Sequence, residues 1–232
     1  MEYKDSYASG IKAAMPVALG YIPIAVAFGV FAVSLGIPGY GVILMSIIVF
    51  AGASQFIGVS LLAAGATGWE IILTTFFINI RHMMMTMVLS QRIDKKAGKL
   101  QLALAAFGVT DESFGVSTAG NNATLGLKYM YGLNFTGYLS WVAGTVLGVF
   151  VADIVPQSIQ ACMGIALYAM FIGLIMPSLK LKPDGRIAAA ISAGVSGFFY
   201  WVPVLSHIPA GWRIIVAATA GAAATMIIRR KE

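Results

Sequence analysis

The residues with the clearest capacity for chemistry are polar side chains inside a hydrophobic stretch, residues 69–90. Arg81 lies well within that stretch, together with Asn79 and His82. Placing an arginine near the centre of a membrane helix costs about 2.5–3.5 kcal/mol on insertion scales. A partner charge or a polar pathway elsewhere in the chain must therefore offset this cost.

Two carboxylates in the following apolar segment are the expected partners of Arg81. At about 1.5 Å per helical residue, Arg81 lies about 13 Å before Ser90, and the two carboxylates lie about 16–18 Å into their segment. An ion pair of Arg81 with Asp111 or Glu112 is therefore expected. The second carboxyl, kept from water, can hold a proton at neutral pH, as a proton-coupled carrier requires. The alternative is a purely structural ion pair, with Glu112 facing water at a helix end.

Other polar residues have a functional and a structural interpretation. Ser54 and Gln55 lie within A-G-A-S-Q-F in the middle of an apolar segment, where they could contact a ligand or join two helices by hydrogen bonds. His82 could titrate. Adjacent helical positions point about 100° apart, however, so Arg81 and His82 cannot both face one narrow site. Packing of His82 against a neighbouring helix is the alternative.

Composition places these residues in an all-α integral membrane protein. Of 232 residues, 59% are hydrophobic and 10% are charged, whereas soluble domains carry about 25% charged residues. Repeated apolar runs longer than about 18 residues predict a helical bundle forming one domain over residues 1–232. The net charge of +6 lies in loops beside apolar segments, which indicates membrane orientation and not nucleic-acid binding. A single cysteine excludes a disulfide framework.

Eight apolar segments should position the polar residues. They are expected at about 13–35, 41–64, 69–90, 100–120, 132–151, 159–179, 187–202 and 212–228. The first contains Pro16 and Pro23, which predict a kink or an unwound, substrate-facing stretch. The second half of 100–120 is too polar to face lipid, so this segment is expected to be re-entrant or broken.

Basic loops predict the orientation of the segments. The loops at 91–99, around Lys128 and at 180–186 and the C-terminus are basic, and should therefore be cytoplasmic. They share one face if segment 100–120 re-enters, which gives about seven crossings and an N-terminus outside. Short matches, such as G-V-F at 29–31 and 148–150, suggest a 3+3 inverted repeat with halves 13–90 and 130–206.

Enzymatic chemistry is not expected. The pattern G-V-S-G at 194–197, with His207 downstream, matches a short motif of intramembrane proteases, but it arises easily in a Gly/Ser-rich helix. No spacing of His, Cys and carboxylates predicts a metal site, and no glycine-rich loop with lysine predicts nucleotide binding. We therefore expect neither a metal nor another cofactor.

Four motifs in order resemble the AzlC family, the large subunits of branched-chain amino acid exporters. They are G-Y-I-P-I-A-V-A-F-G at 20–29, A-G-A-S-Q-F at 51–56, N-I-R-H at 79–82 and F-G-V-T-D-E-S-F at 107–114. The family has Asp or Asn at the position of Asn79. The resemblance implies export of hydrophobic amino acids across a bacterial inner membrane, with a separate small AzlD-type membrane subunit as partner.

The resemblance also carries candidate site residues. Motif positions together with side-chain chemistry predict substrate binding by Ser54, Gln55, Asn79, Arg81 and Phe114. They predict proton coupling by Asp111, Glu112 and His82. Two alternatives to a secondary exporter remain: a passive small-solute channel and a non-transporting scaffold subunit of a membrane complex.

Overall fold

The computed structural model describes most of the chain, and its described part is helical. The described residues are 5–93, 97–119, 124–166, 168–169, 172–173, 176, 179, 183–202, 208 and 210–229. Ten helices within them are α1 (Tyr7–Ser34), α2 (Gly39–Ile48), α3 (Gly52–Ala63), α4 (Gly68–Ser90), α5 (Lys99–Phe107), α6 (Asp111–Thr118), α7 (Leu127–Val151), α8 (Gln157–Met163), α9 (Pro183–Trp201) and α10 (Ala210–Arg229). The predicted all-α class is confirmed.

Three of these helices are long and apolar enough to cross a membrane: α1, α4 and α7. Helix α4 agrees with the predicted 69–90 to within one residue. Shorter apolar helices occur at Gly39–Ile48, Gly52–Ala63 and Trp212–Met226. The predicted total of seven crossings is not confirmed by the part of the chain that the structure describes.

Helix α1 is continuous through both of its prolines. It begins at Tyr7, six residues before the predicted start at 13, because Ser6 caps it: the Ser6 Oγ accepts the Ser9 N–H at 3.2 Å. Pro16 and Pro23 lie inside the helix. An unwound stretch, one of the two expectations for this segment, is therefore not formed, because α1 continues through both prolines.

Helices α1 and α7 pack closely along small residues. Gly10 lies against Gly132 at their beginnings, and Gly29 lies against Gly148 near their ends, so the two helices run parallel. A Cβ added to Gly29 would lie 2.6 Å from the Thr145 carbonyl oxygen. Such close backbone approach requires glycine.

The predicted inverted repeat is not confirmed by the part of the chain that the structure describes. Equivalent helices of an inverted repeat run in opposite directions relative to the membrane, whereas α1 and α7, which begin the two proposed halves, run the same way. The sequence match of Gly29 with Gly148 is their mutual contact: a Cβ on Gly148 would lie 3.0 Å from the Gly29 Cα. The two matched glycines therefore lie at a packing contact between these two helices.

Two helix pairs, α2–α3 and α5–α6, replace long apolar segments of the prediction. The break between α5 and α6 falls at residues 108–110 and that between α2 and α3 at 49–51. At the break between α2 and α3, Phe50 has a φ of 42°. This is the left-handed region, which a bulky residue adopts only when its surroundings hold it there.

The α5–α6 pair returns to the place where it began. The Gln101 carbonyl in α5 accepts from the Tyr131 hydroxyl at 3.0 Å, and Ser117 Oγ in α6 donates to Met130 Sδ at 3.4 Å. Tyr131 and Met130 are neighbours in the first turns of α7. The segment that precedes α5 also contacts the segment that follows α6, because the Leu125 N–H donates to the Arg92 carbonyl at 2.7 Å.

The α2–α3 pair approaches α7 from its other end. Gly39 lies against Val149, and Ser46 Oγ lies 2.8 Å from Thr145 Oγ1. Beyond the break the chain turns back, so that the Phe56 ring contacts Phe31 near the end of α1, with ring centres 5.7 Å apart. The segment predicted at 41–64 is thus two helices that reverse direction.

The beginning of α1 lies beside the beginning of α7. Asp5 Oδ1 accepts the Tyr129 N–H at 3.2 Å. Tyr129 follows Leu125 by four residues, and Leu125 bonds to Arg92 through the backbone. Asp5, just before α1, and Arg92, just after α4, therefore lie at the same end of α7. The charge count predicted that these two parts of the chain lie on opposite sides, which is wrong because both lie beside the first turn of α7.

By internal contacts the chain divides into two compact units, Met1–Phe56 with Asn79–Ala166 and Ile57–Ile78 with Leu167–Glu232. All the contacts described above lie in the first unit. In the second, α9 packs on α10 where Gly221 meets the Ala188 carbonyl and Ser192. The assignment of one domain over 1–232 stays a prediction.

Candidate functional site

An ion pair between α4 and α6 forms the centre of the site. Arg81 Nη2 lies 3.0 Å from Asp111 Oδ2, and the two side chains are 29% and 20% exposed. The predicted pairing of Arg81 with one of the two carboxylates is therefore confirmed, with Asp111 as the partner. The pair offsets the cost of placing each charge among apolar residues.

Local sequence explains why the two carboxylates stand at the start of α6. Thr110 Oγ1 accepts the Ser113 N–H at 3.3 Å, and Ser113 Oγ accepts the Thr110 N–H at 2.9 Å. This reciprocal cap begins a helix immediately after the break. Asp111 and Glu112 occupy its first turn, where negative charge is favoured by the positive end of the helix dipole.

Glu112 has a different partner from Asp111. The Tyr21 hydroxyl, from the middle of α1, donates to Glu112 Oε2 and lies 2.6 Å from Thr110 Oγ1. Tyr21 is 5% exposed. Sequence reasoning included Tyr21 in a motif but did not single it out; the available signal was that a tyrosine within an apolar helix needs a partner for its hydroxyl.

Gln55 belongs to a second, fully buried polar cluster. Its Oε1 accepts from Trp141 Nε1 at 3.0 Å and from the Ala51 N–H at 3.3 Å, and its Nε2 donates to Ser46 Oγ at 2.8 Å. Gln55 is 1% exposed. These bonds connect the chain on both sides of the break at 49–51 to α7, so the amide stabilises the break.

Ser54 and Asn79 pair with each other. Ser54 Oγ donates to Asn79 Oδ1 at 2.7 Å, which links the first turn of α3 to α4 two positions before Arg81. His82 follows Arg81 and is partly exposed. Phe114 packs on a hydrophobic cluster that includes Leu89 and Met130.

The predicted residues therefore fall into separate groups. The structure brings together Arg81, Asp111 and Glu112, and adds Tyr21 and Thr110. It pairs Ser54 with Asn79, two positions before Arg81, and places Gln55 and Phe114 in clusters of their own. The functional roles assigned to all of them stay predictions.

The two helix breaks meet near one tyrosine of α7. The Tyr138 ring lies 5.2 Å from the Phe50 ring and 5.9 Å from the Phe107 ring, between centres, and the two phenylalanine rings lie 6.3 Å apart. Beside this contact is a cavity of ≈ 580 Å³, lined mainly by apolar side chains of α1, α5 and α7. It reaches Gly108, two residues before the cap at Thr110.

The G-V-S-G pattern at 194–197 is not accompanied by a catalytic histidine among the residues that the structure describes. Gly194 and Gly197 lie within α9, and His207 lies outside the described part of the chain. Among the residues that the structure describes, no three His, Cys, Asp or Glu side chains are grouped as metal ligands would be.

Comparison with known proteins places the chain in a family. Residues 16–155 match the AzlC protein family. The chain is 35% identical over 215 residues to the Escherichia coli "Inner membrane protein YgaZ", covering 89% of this chain and 88% of that protein. It is 32% identical over 218 residues to an Archaeoglobus fulgidus "Uncharacterized membrane protein", covering 93% and 92%.

A more distant relative has a more specific name. The Bacillus subtilis "Branched-chain amino acid transport protein AzlC" is 26% identical over 194 residues, covering 82% of this chain and 74% of that protein. No solved structure matches the chain at a significant level. The matched region contains the ion pair, the second carboxylate and both helix breaks. The chain is therefore a multi-pass membrane protein that belongs to the AzlC family.

Proposed function

We propose that this chain is the large subunit of a two-component secondary exporter that moves branched-chain or other hydrophobic amino acids out of the cell, driven by protons. The observation that carries the proposal is the Arg81–Asp111 ion pair at the start of a broken helix, with Glu112 beside it. The name of the B. subtilis relative supports the substrate class. An AzlD-type small membrane protein would be the second subunit.

The ion pair suits a zwitterion. A bound amino acid can present its carboxylate to Arg81 and its ammonium group to Asp111. Arg81 then exchanges the carboxylate of Asp111 for that of the substrate, and Asp111 exchanges the guanidinium of Arg81 for the substrate ammonium group. Asn79, held by Ser54, lies two positions from Arg81 and can accept from the ammonium group. In this scheme Gln55 positions the neighbouring break, and Phe114 and methionines of α4 offer apolar surface to the aliphatic tail.

The helix order supports a membrane topology for the first unit. In this proposal α1, α4 and α7 cross the bilayer, while α2–α3 and α5–α6 enter from opposite faces and return. Their breaks then lie near the midplane, where α3 and α6 direct their positive N-terminal ends toward a substrate. With the basic loop at 91–99 inside, the N-terminus is also cytoplasmic.

Cysteine labelling tests this topology. In a Cys162→Ser background, single cysteines at Ala8, Lys99 and Lys128 should react with an impermeant maleimide only from the cytoplasmic side. Cysteines at Ser34 and Asp153, at the opposite ends of α1 and α7, should react only from outside. All five positions are exposed at helix ends. Labelling of Lys99→Cys and Lys128→Cys from opposite sides would mean that α5–α6 crosses, and the cysteine-free protein gives the background.

Uptake into everted vesicles tests the transport proposal. Labelled leucine should accumulate only when the lumen is more acidic than the bath and the AzlD-type subunit is present. A passive channel would equilibrate leucine whether or not an uncoupler is added. A scaffold subunit would leave transport by its complex unchanged after simultaneous neutralisation of Arg81, Asp111 and Glu112. Either of those results would contradict the proposal.

A further inference from the structure

The two adjacent carboxylates of α6 are held by groups of different charge. Asp111 bonds to the guanidinium of Arg81. Glu112 bonds to the neutral hydroxyl of Tyr21. A carboxylate beside a cation is stabilised in its ionised form, whereas one bonded to a hydroxyl has a partner in both of its forms, because a hydroxyl can donate or accept.

We infer that Glu112, and not Asp111, takes up and releases the coupling proton, and that Tyr21 is the positioning residue that holds it in both states. The inference rests on the proposed function, since it names which of two carboxylates drives it. It assigns Asp111 to the ion pair and to the substrate ammonium group. Tyr21 then connects the proton site to α1.

Hydrogen-bond geometry gives this assignment a mechanism. The Tyr21 hydroxyl has one hydrogen and two neighbours, Glu112 Oε2 and Thr110 Oγ1. When Glu112 is ionised, Tyr21 donates to it and accepts from Thr110. When Glu112 gains a proton from water, its O–H donates to Tyr21, and the Tyr21 hydrogen turns toward Thr110. No bond between heavy atoms changes.

The reversal reaches the cap of α6. Thr110 Oγ1 already accepts the Ser113 N–H. In the protonated state it must accept from Tyr21 as well, so its own hydrogen is released from Tyr21 and turns elsewhere. Protonation of Glu112 thus changes the bonding of a residue at the helix break, which is where Arg81 and Asp111 meet.

Other ionisable groups around Glu112 are few in the described residues. Asp111 precedes it on α6 and is paired with Arg81 of α4. His82, also on α4, is close enough to Glu112 for an electrostatic interaction. From α1 the facing group is Tyr21. Protonation of His82 would favour ionised Glu112, so His82→Gln is needed as a companion variant in any titration.

Infrared difference spectroscopy of the purified protein in lipid nanodiscs tests the assignment without requiring transport. Lowering the pH should produce the carbonyl stretch of a protonated carboxylic acid. Glu112→Gln should remove that band, and Asp111→Asn should retain it. Tyr21→Phe should shift the frequency of that band, because the protonated Glu112 carboxyl loses its hydrogen-bond partner. Tyr131→Phe removes a hydroxyl that bonds to the Gln101 backbone carbonyl, and should leave the band frequency unchanged.

The possible results separate this inference from the proposed function. A carboxylic acid band that disappears in Asp111→Asn and is unchanged in Tyr21→Phe would overturn the inference. So would leucine transport that stays proton-driven in Glu112→Gln. A Glu112 band that responds to Tyr21→Phe, in a protein that shows no proton-driven leucine transport, would support the assignment of the proton site and overturn the proposed function. If Glu112→Gln does not fold, Tyr21→Phe alone decides, because Glu112, and not Asp111, is the carboxylate that bonds to that hydroxyl.

Discussion

Asp111→Asn and Arg81→Gln are each expected to abolish gradient-driven leucine transport and to lower the stability of the protein. Each single change removes one charge of the ion pair and leaves the other in an apolar setting. Because the two side chains are partly exposed, at 29% and 20%, the expected loss is about 1–3 kcal/mol and less than that of a fully buried pair. Thermal unfolding in detergent and uptake into everted vesicles measure the two effects.

The double variant Arg81→Gln with Asp111→Asn separates stability from function. It removes both charges, so most of the lost stability should return. Transport should not return, because the substrate carboxylate and ammonium group would have no charged partners. A double variant that transports leucine at the original rate would show that the pair is only structural. Asp153→Asn and Arg186→Gln, at exposed positions, are the matched controls for each change of charge.

Gly29→Ala is expected to destabilise the first unit strongly. The added methyl group would lie 2.6 Å from the Thr145 carbonyl oxygen and 2.8 Å from the Val149 nitrogen, and a backbone cannot yield as a flexible side chain can. Forcing α1 and α7 apart should cost about 1–3 kcal/mol, as overpacking does in other well-packed interiors. The thermal midpoint and the yield of folded protein measure the loss.

Gly20→Ala is the control on the same helix. An alanine Cβ at this position would meet nothing within 4 Å. Since alanine favours the helix over glycine by about 1 kcal/mol, Gly20→Ala should be neutral or stabilising. Equal effects of Gly20→Ala and Gly29→Ala would contradict the parallel contact of α1 with α7.

The ion pair was predictable from sequence because lipid makes unpaired charge expensive. Arg81 required a partner, and Asp111 and Glu112 were the carboxylates at a matching depth in the next segment. The break before Asp111 was also predictable, since a polar half-segment cannot face lipid. Which carboxylate pairs with Arg81 depends on how α6 is rotated by its cap, and the spacing of residues contains no information on that rotation.

The direction of α2–α3 could not be predicted in the same way. Residues 41–64 are apolar and long enough to cross a bilayer, so charge counting treats them as one crossing. The reversal depends on a left-handed Phe50 and on the buried contacts of Gln55 with Ser46 and Trp141, which come from distant parts of the chain. Counting residues 41–64 as one crossing placed the N-terminus opposite the loop at 91–99, whereas Asp5 and Arg92 lie at the same end of α7.

Parallel neighbours also have an electrostatic consequence at the end where α1 and α7 begin. Their macrodipoles point the same way, so two positive ends lie side by side and repel. Gly126, which precedes α7, has no side chain to cap it, and Asp5 from the start of α1 supplies the oxygen instead by accepting the Tyr129 N–H. A single carboxylate thus counters both positive ends, and the close pairing of the two longest helices depends on a residue that lies outside each of them.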